Sequence, residues 1–168
     1  MGSEQWLAAQ PLTAAGFAPF GEVIETAGHE PLSINAGTCD RYDDLAPVDV
    51  LAEGGRPLIS IFEARARPLP FAIRSLERHP LSSQAFFPLD GQPFLVVVAL
   101  PAELPWAQRL RAFRATGRQG VSYRRNTWHH ALLAIGATSR FLVVDRGGPG
   151  ANCEEIAIDP PVVVTAAV

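Results

Sequence analysis

The stretch Leu76-Glu77-Arg78-His79-Pro80-Leu81-Ser82-Ser83-Gln84-Ala85-Phe86-Phe87-Pro88-Leu89-Asp90-Gly91 decides how the chain is read. In an extended strand alternate side chains share a face, so Glu77 and His79 point the same way. After a turn at Pro80, Gln84 and Phe86 repeat that spacing, which gives a strand, a turn and a strand bearing polar groups. A second segment answers it. Gln119-Gly120-Val121-Ser122-Tyr123 leads to Trp128-His129-His130, making two of the four histidines candidates for one pocket.

Around these segments the pattern is that of short strands. The chain has 168 residues, 48% of them hydrophobic, enough to fill one sizeable core, so positions 1–168 are read as a single domain. Its 15 Pro and 14 Gly are too many for a helical protein, yet below the share of about 25–30% that marks disorder. Extended segments are expected over residues 21–24, 33–37, 57–65, 71–73, 120–123, 128–135, 141–146 and 154–158, without the alternation of a βαβ protein. The fold class this predicts is all-β and mainly antiparallel, a jelly-roll β-barrel with an open mouth and a few short helices. Thr13 is placed to cap a helix over 14–17, and Trp106, Leu110 and Phe113, at i, i+4 and i+7, predict a second helix with an apolar face.

Composition excludes several classes of function. The net charge of −3 and scattered arginines give no footprint for nucleic acid or an anionic membrane, so a small-molecule partner is expected. All 14 basic residues are arginine, which removes lysine Schiff bases and a P-loop lysine. Cys39 and Cys153 lie in no C-x-x-C arrangement and are expected to be free thiols in a reducing compartment. Residues 1–10 lack the features of a signal peptide, and the longest apolar runs, 94–100 and 162–168, are far shorter than the roughly 20 residues of a membrane span. A cytoplasmic protein is expected. Residues 94–100 are apolar on both faces, which predicts cover from the core on one side and from a helix or a partner subunit on the other, and so suggests a homodimer.

The spacing Glu77-x-His79-x4-Gln84-x6-Gly91 resembles the first motif of the cupins, with Glu77 in place of one histidine and Gln84 in place of the glutamate. His129 then resembles the histidine of the second motif. More specifically, Glu77-Arg78-His79-Pro80, Ser83-Gln84-Ala85-Phe86, Gln119-Gly120-Val121-x-Tyr123, Trp128-His129-His130 and Val143-Val144-Asp145-Arg146 look like the bacterial ureidoglycolate lyase family. Phe17-x-x-Phe20-Gly21 and Ile34-Asn35-x-Gly37 extend the resemblance through most of the chain. It implies a cupin-type barrel, usually dimeric, and a carbon–nitrogen lyase that splits (S)-ureidoglycolate into glyoxylate and urea in allantoin and purine degradation. It also suggests help from a divalent metal such as nickel.

The residues suit that chemistry. Cleavage requires a base for the hydroxyl proton, an acid for the leaving urea and a cation for the carboxylate, and no covalent nucleophile. His79, Glu77 and His129 are the candidate catalytic groups. Gln84, Tyr123, Trp128, Arg124 and Arg41 are candidates for holding substrate, with Arg125 an alternative cation; each aromatic could equally be core, and Arg41 could simply be solvated. His129 and His130, as neighbours on an extended segment, face opposite ways, and His129 is the one expected inside. No cofactor is required by the residues themselves. If a metal is held, Glu77, His79, Gln84 and His129 occupy the ligand positions, but a neutral amide at Gln84 is a poor ligand, so weak or absent metal is the expectation. Another metal-dependent cupin enzyme, or a non-catalytic cupin that binds a small acid, remains an alternative.

Overall fold

The computed structural model describes residues 5–166, so the first four positions of the 1–10 start and the last two of the 162–168 run lie outside it. Two short strands, β1 (Gln5–Ala8) and β2 (Gln10–Pro11), precede helix α1 (Ala14–Phe17), whose first turn is closed by the Thr13 hydroxyl accepting the Gly16 N–H at 3.1 Å. Next come β3 (Gly21–Ile24), the hairpin β4 (Leu32–Ile34) and β5 (Cys39–Arg41), and the long β6 (Arg56–Ala64). The middle of the chain supplies β7 (Phe71–Arg78), β8 (Gln84–Pro88) and β9 (Phe94–Ala99). A single helical turn, α2 (Trp106–Arg109), then leads into β10 (Leu110–Ala115), β11 (Gly120–Tyr123), β12 (Leu133–Ala134), β13 (Ser139–Gly147) and β14 (Glu154–Thr165).

The chain is all-β, as expected, and mainly antiparallel; among the described strand pairs only β1 with β14 and β2 with β10 run parallel. One sheet has the order β3-β11-β8-β13-β6. Across from it lie β12-β9-β10-β2 and β1-β14-β7, which are joined where His129 bridges Glu77 of β7 and Val98 of β9. This arrangement is consistent with a cupin-type barrel.

β9 has all six residues buried. Its alternating side chains enter two cores. Phe94, Val96 and Val98 meet Phe17, Phe20, Phe86, Val121, Phe141 and Val143 in one, while Leu95, Val97 and Ala99 meet Ile73, Leu76, Ile158, Val162 and Val164 in the other. The expectation that a helix or partner subunit covers one face is corrected here: strands β7 and β14 of the same chain cover it.

The helix expected over Trp106, Leu110 and Phe113 is also corrected. It stops at Arg109, and Leu110–Ala115 pairs antiparallel with Phe94–Ala99 along its full length. Along β10, Leu110 and Ala112 enter the second core and Phe113 and Ala115 the first, with Arg111 and Arg114 exposed. The backbone groups of a strand sealed on both faces must be hydrogen-bonded, and that demand outweighs a three-residue helical spacing. Residues 128–135, expected as one strand, instead make isolated bridges at His129 and the short β12. Residues 33–37 are extended only to Ile34, after which Asn35 and Ala36 take positive φ in a tight turn.

Because the faces of β9 enter separate cores, both Phe94→Ala and Leu95→Ala are expected to be strongly destabilising, by about 3–5 and about 2–5 kcal/mol respectively. Urea unfolding followed by circular dichroism checks this, and a loss below about 0.5 kcal/mol for either variant would show that its face is not sealed.

Candidate active site

β7 carries Glu77 as its penultimate residue, and the chain then turns at His79-Pro80. The alternation of an extended backbone leaves Glu77 and His79 on one side. Residues 128–130 are clamped between β7 and β9 by main-chain bonds on both edges: Glu77 and His129 exchange N–H···O bonds of 2.8 and 2.9 Å, His130 N–H donates to Val97 at 2.8 Å, and Ala99 N–H donates to Trp128 at 2.9 Å. That clamp turns the His129 ring toward His79, with ring centroids 5.2 Å apart. On the other side Tyr123 stacks on His129 at 4.1 Å with the rings 10° from parallel. Gln84 opens β8 directly opposite Tyr123.

His79 is held from two directions. Its Nδ1 lies 2.7 Å from the main-chain oxygen of Asn152 and its Nε2 lies 3.0 Å from Gln84 Oε1. A carbonyl oxygen can only accept, so Nδ1 carries a proton. The Gln84 amide nitrogen in turn reaches Asp145 Oδ2 at 3.4 Å. Asn152 also ties down the turn after His79, accepting from Leu81 N–H at 2.8 Å through Oδ1 and donating from Nδ2 to Ser82 Oγ at 2.8 Å.

His129 is enclosed. Its Nδ1 donates to the His130 carbonyl at 3.1 Å, and Nε2 is buried with no hydrogen-bond partner. Burial lowers its pKa to about 3, with the neighbouring His79 and His130 pushing the same way against the His130 carbonyl, so the ring is neutral at ordinary pH. The 3.9 Å approach of Nδ1 to Glu77 is therefore not an ion pair. Burial raises the Glu77 carboxyl above its usual range, and the like charge of Glu155 adds to the shift while His79 opposes it. Burial also pushes the Tyr123 hydroxyl upward, helped by the charge of Glu77.

The structure thus brings together Glu77, His79, Gln84, His129 and Tyr123. The other expected site residues lie elsewhere. Arg124 donates to Glu22 at 2.8 Å and to the Ala18 carbonyl at 2.8 Å, Arg125 pairs with Asp49 at 2.7 Å, and Arg41 pairs with Asp43. Trp128 packs edge-on against Trp106 at 6.1 Å and lies under the Arg78 guanidinium at 4.6 Å, and Arg78 itself bonds Glu154. His130 faces the other way from His129 and packs against Phe71.

A cavity of about 280 Å³ opens beside His79 and Gln84. Its remaining walls are Ser82, Asp145, Arg146, Asn152 and Cys153. Sequence reading assigned none of these a role. The available signal was the charged pair Asp145-Arg146 closing an otherwise apolar strand, where polar groups have a reason to be.

Glu77, His79 and His129 offer donor atoms that all lie within 4.8 Å of one another. A carboxylate and two imidazoles are a donor set suited to a divalent first-row metal, and the partnerless buried Nε2 of His129 is a lone pair such an ion could use. The residues therefore fit a metal. Cys153 and Glu155 form a second group of donors with Glu77, at the edge of the first.

The family model described as Ureidoglycolate lyase matches residues 4–165. The chain is 54% identical over 149 residues to the ureidoglycolate lyase of Burkholderia mallei, covering 89% of this chain and 87% of that protein. It is 54% identical over 149 residues to the ureidoglycolate lyase of Azotobacter vinelandii, covering 89% and 90%, and 53% identical over 146 residues to that of Pseudomonas aeruginosa, covering 87% and 86%. With matches that run through nearly all of the described residues, the chain belongs to the ureidoglycolate lyase family.

Proposed function

We propose that this protein is a ureidoglycolate lyase that releases urea and glyoxylate from ureidoglycolate by acid–base elimination. The observation that carries the reading is the convergence of Glu77, His79 and His129, with His79 on the wall of a small polar cavity, in a chain of this family. In the reaction a base takes the proton of the hydroxyl group. The electron pair of that O–H bond becomes the carbonyl of glyoxylate, the carbon–nitrogen bond breaks, and its pair is protonated on the leaving urea nitrogen. Glu77, whose carboxyl is raised by burial, is suited to accept the first proton. His79, held by the Asn152 carbonyl at Nδ1 and by Gln84 at Nε2 on the wall of the cavity, is placed to be the acid that protonates urea. His129 stays neutral and fixes the floor of the site.

A divalent metal, nickel by family resemblance, would be held by Glu77, His79 and His129 with Gln84 beside them, and when bound would polarise the substrate oxygens. We hold that proton transfer by the protein's own groups proceeds without it, because Gln84 is a neutral amide where cupins commonly have a carboxylate. The partnerless Nε2 of His129 favours the opposing reading, that the metal is needed.

The catalytic unit is taken to be a homodimer in the cytoplasm. Supporting an association are Ile59 and Ile61, 76% and 55% exposed on β6, an edge strand, beside partly exposed Leu142 and Val144 on β13. Cys39 and Cys153 are free thiols, which fits a reducing compartment, and among the described residues no helix is long and apolar enough to cross a membrane.

Purified protein given racemic ureidoglycolate is expected to release urea and glyoxylate in equal amounts without nicotinamide or flavin. His79→Ala should lower turnover by about 10²–10⁴-fold with an unchanged melting curve. As pH falls, the base form of Glu77 is lost at a pH above the ordinary carboxylate range, so kcat/KM should show an acid limb there that Glu77→Gln removes; His129, with its pKa near 3, should add none. A rate no faster than spontaneous decay of the substrate defeats the whole reading. Elemental analysis with assays before and after chelation decides the metal: unchanged activity in metal-free protein is expected, and loss restored by nickel would make Glu77, His79 and His129 ligands first. Light scattering should give twice the chain mass, and Ile59→Asp should shift it toward the monomer; a monomeric parent protein would dispose of the dimer.

A further inference from the structure

The far wall of the cavity beside His79 holds two opposite charges that do not pair with each other. Arg146, near the end of β13, is only 9% exposed, and no carboxylate among the described residues forms a salt bridge with it. Its Nε and Nη2 donate to main-chain oxygens, to Ala52 at 3.2 and 2.8 Å, to Pro149 at 2.7 Å and, more weakly, from Nη2 to Glu53 at 3.5 Å. Among the described residues Nη1 has no hydrogen-bond partner, it is not sealed from water, and Arg146 is one of the residues that line the cavity. A guanidinium buried without a counter-charge is unfavourable unless something supplies one. The chain nevertheless makes room for it. A Cβ at Gly55 would stand 2.3 Å from Arg146 Nε and 2.2 Å from the Val50 carbonyl, so the seat exists only with glycine there. Asp145 lines the same cavity, and among the described residues its carboxylate meets the Gln84 amide at 3.4 Å and forms no salt bridge.

Such a wall asks for a ligand with a carboxylate at one end and N–H donors at the other. We propose, on the reading that ureidoglycolate is the substrate, that Arg146 receives its carboxylate through Nη1 and that Asp145 accepts from the terminal NH₂ of its ureido group. These two residues then set which way round the molecule lies against His79. Arginine suits a planar carboxylate, and a half-buried carboxylate lacking its own cation suits a donor-rich, uncharged urea. The same placement accounts for selectivity for an acid that carries a urea, since an analogue lacking either end leaves the buried Arg146 or the half-buried Asp145 unmatched.

Three uncleavable probes test this by calorimetry: ureidoacetate, which has both ends; its carboxamide, which lacks the carboxylate; and N-acetylglycine, in which a methyl replaces the terminal NH₂. The parent protein is expected to prefer ureidoacetate over each of the others by about 10–100-fold. Arg146→Gln should abolish the preference over the carboxamide and keep the preference over N-acetylglycine, while Asp145→Asn should do the reverse. Melting curves establish that each variant is folded; because Arg146 also holds the 52–54 turn, Arg146→Lys serves if the glutamine variant is not, and should weaken the first preference in the same sense. Either preference surviving its own substitution, or both falling together in each folded variant, overturns the assignment. The activity reading is judged separately. A parent protein that cleaves ureidoglycolate while the preferences stay put is a lyase with its carboxylate held elsewhere, and one that shows the crossed pattern without cleavage is a binder oriented as proposed.

Discussion

The constraint on which the structure depends is the hydrogen-bonding requirement of β9. All six of its residues are buried, and its two faces feed separate cores, so neither edge can be left to water. β10 satisfies one edge over its whole length. The other edge is met piecemeal by the segment from Trp128 to Ala134, through the main-chain bonds at residues 128–130 and the pairing of β12. The position of His129 follows from this. Its backbone is fixed on one side by the strand at the centre of the molecule and on the other by the strand that carries Glu77. An apolar packing problem thereby sets the distance between two polar groups of the site.

The same burial gives the two groups different electrostatic characters. His129 loses access to water altogether, and desolvation keeps it neutral. Glu77 is only partly covered, and its carboxyl is raised by burial and by the Glu155 carboxylate facing it across the β7–β14 ladder. Neither shift needs a special partner. Both follow from where the strands end, and together they separate a carboxyl whose pKa is raised from an imidazole whose pKa is lowered.

Much of the fold could be read from the residues because the local signals agree with the final packing: Thr13 caps α1, the extended segments 57–65 and 141–146 become the paired β6 and β13, and residues 94–99 of the apolar run are all buried. The failures came where a non-local demand decided. Trp106, Leu110 and Phe113 carry a helical spacing, but the open edge of β9 recruits Leu110–Ala115 as a strand. In the site, Glu77, His79 and Gln84 were legible because strand alternation and a short turn fix them locally. Asp145, Arg146 and Asn152 were not, since they reach the cavity only through pairing of β13 with β8 and through the loop beyond it. Arginines looked interchangeable in the sequence. Arg124 and Arg125 stand beside the second histidine motif yet have their own carboxylates, whereas Arg146, far from that motif, has none among the described residues.

Asn152 bonds to His79, Leu81 and Ser82, residues 70 to 73 positions earlier in the chain. Closing a loop of that length is entropically expensive and is repaid only when the strands between are already in place. The pocket therefore cannot assemble as a local unit ahead of the barrel. A growing chain still on the ribosome would hold Glu77, His79 and His129 without the residue that orients His79, and a partly unfolded molecule would lose that orientation as soon as β14 and its leading loop let go. Formation of the cavity is thereby tied to completion of the C-terminal third, which keeps His79 from being organised in any species short of the finished fold.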